Sequence, residues 1–211
     1  MSKLNKTVIY KIMVIGLSCA LTLPAAADLG IVSKLINHGI ATTQATFGYM
    51  RLTGDSVSQD DVKAFEWTKE AAYRGRESSQ YTLGEMYSNG TGVRQNYAKA
   101  IEWYEKAAKQ GNAEIQYNLG TFYQNGKGIP QDYDKAVEWY RKSADQGFAL
   151  AQYNLAAMYY EGLGVSQDYA ETLKWLRKAA AQGYAGAQNN IGDMVTLPNL
   201  RHLINRIKLP D

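Results

Sequence analysis

Residues 112–147 read NAEIQYNLGTFYQNGKGIPQDYDKAVEWYRKSADQG, and this stretch decides the fold. Ile115, Leu119 and Tyr123 recur at four-residue spacing, one apolar stripe of a short helix, and Gly120 beside Leu119 permits another helix to approach closely. Asn125-Gly126 stops that helix, because a glycine after the last turn adopts the left-handed C-cap conformation. Gly128-Ile129-Pro130 crosses over, and Asp132 is a natural N-cap for a second helix carrying Tyr133, Ala136, Val137, Tyr140 and Ala144, with Trp139 its largest side chain. Gln146-Gly147 ends it. The stretch is a helix-turn-helix hairpin that cannot bury its apolar face alone.

Working outward, the same pattern returns every 36 residues. Trp67, Trp103, Trp139 and Trp175 are all the tryptophans of the chain, and Gly75, Gly111, Gly147 and Gly183 keep the same interval. So do Gly54, Gly90, Gly126 and Gly162, then Gln59, Gln95, Gln131 and Gln167, then Val57, Val93, Ile129 and Val165. A fixed interval over most of a sequence means one unit copied in tandem. The units run over 40–75, 76–111, 112–147 and 148–183; the first is the least regular, with Ser56 and Asp61 where later copies have glycine and tyrosine. Residues 28–39 read as a half-repeat and capping helix. Residues 40–195 read as four repeats and a partial fifth. Residues 196–211, with Leu200, Leu203, Ile204 and Ile207 on one face after Pro198, read as a C-terminal capping helix. Stacked hairpins of this kind predict an all-α fold, a right-handed superhelical solenoid with a 36-residue period.

The first 27 residues are a separate object. Lys3, Lys6 and Lys11 precede an apolar stretch from Ile12 to Leu23, and Ala25-Ala26-Ala27 supplies small residues for a peptidase. This predicts a secretory signal cleaved before Asp28, a periplasmic or secreted mature chain and no stable membrane insertion. A lipoprotein signal acylated at Cys19 fits less well, since Gly16 stands where a branched aliphatic is wanted. The 23 basic residues lose three with the signal and the 20 acidic ones lose none, leaving 20 against 20. A neutral chain gives no support for nucleic acid as a partner. The one cysteine also leaves, which removes disulfides, a thiol nucleophile and thiolate metal sites.

Chemistry is scarce in what remains. His38 and His202 lie in opposite caps, so no metal site and no histidine relay is expected, and no cofactor either. Gly90-Thr91-Gly92 and its two copies follow helices, whereas a phosphate loop follows a strand.

Gln116-Tyr117-Asn118-Leu119-Gly120, then Tyr123, Gly126, Gly128, Ile129, Asp132-Tyr133, Lys135-Ala136, Glu138-Trp139-Tyr140 and Lys142, resemble the Sel-1-like repeat, a branch of the tetratricopeptide superfamily. The resemblance covers nearly all of residues 40–195. It implies a non-enzymatic adaptor, a monomer that holds a protein or peptide in a concave groove. Further implied alternatives are an immunity protein against a secretion-system effector and a host-directed factor. β-Lactam hydrolysis belongs to cysteine-rich relatives and does not transfer. An envelope hydrolase would need an acid–base pair that the sequence does not display. By the superfamily's pattern, first-helix residues offset from the stripe leucine line the groove. These are Tyr81, Glu85 and Asn89, with Ser88; Tyr117, Thr121 and Gln124, with Asn125; and Tyr153, Tyr160 and Glu161, with Ala157. Tyrosine suits such a surface because it joins a large apolar face to a polar tip.

Overall fold

The computed structural model describes residues 39–46, 49, 52, 60–126 and 128–196. The signal with Cys19, the half-repeat apart from Gly39, both histidines, the capping helix after Pro198 and most of the first crossover loop lie outside these residues. Among the described residues, helical residues 39–46 are followed by eight helices: α1 (Asp61–Tyr73), α2 (Glu77–Asn89), α3 (Tyr97–Ala108), α4 (Ala113–Asn125), α5 (Tyr133–Asp145), α6 (Ala149–Glu161), α7 (Tyr169–Ala181) and α8 (Ala185–Thr196). The described residues contain no strand. The chain divides into two compact units, Met1–Asn96 and Tyr97–Asp211.

The helix ends form where the sequence places their stop signals. Asp132 accepts the Lys135 N–H, Asp168 accepts those of Ala170 and Glu171, and Asn112 accepts those of Glu114 and Ile115. Each such cap contributes about 1 kcal/mol by pairing an otherwise orphaned N–H. Gly90, Gly126 and Gly162 close α2, α4 and α6 in the left-handed conformation. The recurring glutamines serve the orphaned carbonyls just upstream: Gln95 donates to Ser88 O, Gln131 to Gln124 O and Gln167 to Tyr160 O. A second glutamine series joins successive hairpins. Gln80, Gln116 and Gln152 donate to Ala72, Ala108 and Ala144 O at 3.2, 3.0 and 3.1 Å, tying the start of each first helix to the end of the helix before it.

In the N-terminal unit α1 packs on α2, with Phe65 edge-on to Tyr87 at 5.4 Å and Leu83 and Met86 fully buried. The C-terminal unit stacks α3 through α8, each helix on the next. Close approach there depends on absent side chains. A Cβ on Gly164 would lie 2.3 Å from Tyr133 O, so the crossover loop of one hairpin sits directly on the second helix of the hairpin before it.

Trp103, Trp139 and Trp175 are buried, and the lysine three residues after each lies over its ring, Lys106 at 3.9 Å, Lys142 at 4.0 Å and Lys178 at 4.2 Å. Such contacts contribute about 0.5–1 kcal/mol. Trp67 differs: it is 41% exposed, and Glu70 holds the lysine position. The tryptophan interval therefore marks one fold position, but burial of that position is a property of the later copies.

Candidate functional site

The groove residues expected from the repeat belong to α2, α4 and α6, and the three sets are built differently. On α2, Tyr81 and Glu85 are half-buried, Asn89 is exposed and Ser88 is buried. Burial holds the Glu85 carboxyl above its ordinary range.

On α4 the expected residues converge on a side chain from the next helix. Tyr140 of α5 is fully buried, and its ring lies against Gly120, where a Cβ would come within 2.6 Å of Tyr140 Cδ1. Its hydroxyl stands 2.5 Å from Gln124 Oε1 and 3.1 Å from Thr121 Oγ1, and accepts from Asn154 Nδ2 of α6 at 3.2 Å. The Tyr117 ring covers it at 5.8 Å and reaches Phe148 at 5.3 Å. Burial pushes the Tyr140 phenol up, and the Thr121 and Asn154 hydrogen bonds partly offset this. Thr121 and Gln124 thus satisfy a buried hydroxyl, which would otherwise cost about 1–3 kcal/mol.

One repeat later the plug is missing. Leu176 of α7 stands where Tyr140 does, Ala157 replaces Thr121 and Tyr160 replaces Gln124. A cleft of about 300 Å³ opens among α6, α7 and α8. Leu176, Ala156 and Met194 form its apolar part, and Tyr153, Tyr160 and Glu161, all expected from the sequence, line it. Asn190, the counterpart of Asn154, now donates to the Tyr153 hydroxyl at 3.2 Å, while the Tyr184 ring backs Tyr153 at 4.9 Å. Tyr160 is 40% exposed and meets Tyr169 edge-on at 5.7 Å. Leu176, Asn190 and Asp193 escaped the sequence reading, which looked for positions that keep the period. Their signal is a break in it: Tyr104, Tyr140, then Leu176.

A larger cleft of about 610 Å³ lies elsewhere on the same unit, lined by Arg141, Tyr159, Asp168, Glu171 and Lys174 among others. Its charges largely answer one another. Lys174 pairs with Glu171 at 2.7 Å, Arg141 bonds the Tyr159 hydroxyl, and Asp168 caps α7. The related surface one hairpin earlier has the same internal closure, with Tyr123 donating to Glu105 at 2.7 Å and Lys135 over the Tyr123 ring. Burial foremost, and then Glu105, pushes the Tyr123 phenol well up. These contacts are repeated scaffold. Among the described residues no three His, Cys, Asp or Glu side chains gather as a metal site, and no helix is long and apolar enough to cross a membrane.

Comparison with known proteins agrees with the repeat geometry. The protective antigen c5321 present in uropathogenic Escherichia coli strains, of the SLR fold, is 34% identical over 87% of this chain, with a TM-score of 0.70. A Sel1 repeat protein from Oxalobacter formigenes is 32% identical over 76% of it, with a TM-score of 0.63. The chain spans 40% and 65% of the lengths of those two proteins. Immunity protein Pa5087 from Pseudomonas aeruginosa is more distant, at 22% identity over 75% of this chain and 60% of its own, with a TM-score of 0.44. No curated protein matches the chain. The Sel1 repeat pattern matches residues 47–75, 78–112, 113–148 and 149–184. With its helices, caps and glutamine ties repeating at that interval as a helical solenoid, the chain belongs to the Sel1 repeat family, a protein-interaction fold.

Proposed function

We propose that this chain is an exported, non-catalytic interaction module, acting in the periplasm or outside the cell, that holds a partner protein or peptide at the cleft among α6, α7 and α8. The observation that carries this reading is the exchange of Tyr140 for Leu176. It leaves Tyr153, Tyr160 and Glu161 around open space, while Tyr117 and Gln124, the α4 counterparts of the two tyrosines, are occupied by a side chain of the chain itself. A partly exposed tyrosine beside an apolar floor is the kind of group that anchors interfaces. The opening residues supply the second part of the reading, with three lysines, an apolar stretch and three alanines in the order of a signal.

Affinity capture from the envelope fraction, with partners identified by mass spectrometry, tests the proposal. The wild-type chain is expected to recover a defined partner that is lost in a Tyr153→Ala/Tyr160→Ala variant of unchanged helicity. Equal recovery by both would remove this cleft from the function.

A further inference from the structure

We infer that the cleft takes a basic side chain, arginine or lysine, from an extended segment of a partner. This deepens the proposed function and rests on it, since it names the chemistry of the occupant. About 300 Å³ is at the lower end of ligand pockets, the room of one large side chain. Ala157 and Leu176 give a floor on which an aliphatic stem can lie, Tyr153 and Tyr160 offer ring faces, and Glu161 and Asp193 add two carboxylates.

Charge selects the occupant. Among the described residues no lysine or arginine lines the cleft. Among the described residues the ion pairs are all between neighbours on one helix or its cap, and neither Glu161 nor Asp193 takes part in one. In the larger cleft on the same unit, by contrast, Lys174 already answers Glu171. An incoming cation gains both carboxylates as counterions while its stem covers Leu176 and Ala157. An aspartate or glutamate side chain would meet like charge, and a purely apolar one would leave the carboxylates without a counterion. One wall is already set, because Asn190 and Tyr184 hold the Tyr153 ring from two sides, so little ordering is needed on binding.

The test uses four blocked pentapeptides, alanine throughout except for a central arginine, lysine, leucine or glutamate, titrated into the full chain. The readouts are NMR shifts of the Asn190 amide and the Leu176 methyls. The arginine and lysine peptides are expected to shift both, and the glutamate peptide neither. A Glu161→Gln/Asp193→Asn variant, conservative at exposed positions, is expected to weaken the arginine peptide about tenfold and leave a leucine peptide unchanged. If leucine binds as well as arginine and the double variant changes neither, the inference falls while the cleft remains a partner site. If no peptide shifts these signals, and Leu176→Tyr, which plugs the cleft, leaves partner capture intact, both the inference and the proposed function fall.

Discussion

Positions 140 and 176 are one place in the repeat with two outcomes. At 140 a tyrosine fills the space between first helices, its ring pressed on Gly120 and its hydroxyl shared by Thr121, Gln124 and Asn154. At 176 a leucine stops short, Ala156 stands in place of the glycine, and the two polar partners have become Ala157 and Tyr160. The changes are concerted: once the ring is gone, a Cβ is tolerated below it and no hydroxyl needs answering. What remains is a cleft with tyrosines at its edge. In a tandem array the copies that obey the pattern hold the fold together, and the copy that departs from it has room for something else.

The comparison breaks most visibly if Tyr140 is made like its counterpart. Tyr140→Leu is expected to lower the unfolding free energy by about 2–4 kcal/mol, from lost packing plus a stranded Thr121–Gln124–Asn154 cluster, as read by urea denaturation. A loss below about 1 kcal/mol would show that the buried hydroxyl network is not what closes this repeat. Next in size is Gly120→Ala. Its new Cβ would stand 2.6 Å from the Tyr140 ring, and the expected loss is about 1–3 kcal/mol. Adding it to Tyr140→Leu should cost little more, since Ala156 and Leu176 already coexist, and a double-mutant cycle measures that coupling directly. Strict additivity would sever the link between the two positions.

The smallest effect is at Glu85, which shares its repeat position with Thr121 and Ala157. Burial raises its carboxyl above the ordinary value of 4.5. The folded chain then holds that proton more tightly than the unfolded chain does. No stability is lost below the unfolded value, and the cost grows as pH rises through the raised folded value. Glu85→Gln should therefore raise Tm by about a degree or two at pH 7 and leave it nearly unchanged at pH 4. A larger gain at pH 4 would reverse the assignment.

Much of this was legible in residues 112–147 alone. The Ile115, Leu119 and Tyr123 stripe is buried, Gly126 is the left-handed cap, and Asp132 caps the second helix, because such signals act within a few residues of themselves. Gly120 was legible as a place of close approach, though not which ring approaches it. Tyr117 and Tyr153 read alike in sequence, and in space one covers Tyr140 while the other faces a cleft. Trp67 and Trp139 read alike too, yet their burial differs.

By itself the sequence determined the period, the helices and glycine turns of the described later copies, and the family, since all of these rest on local propensity and on the regular return of small and apolar residues. Only the tertiary structure decided which copy of the tyrosine position is plugged and which is open. That outcome depends on side chains from three helices meeting at one point. Tyr140, Gly120 and Asn154 at one place, and Leu176, Ala156 and Asn190 one period later, come from three successive helices and are each separated along the chain by more than the reach of any local signal.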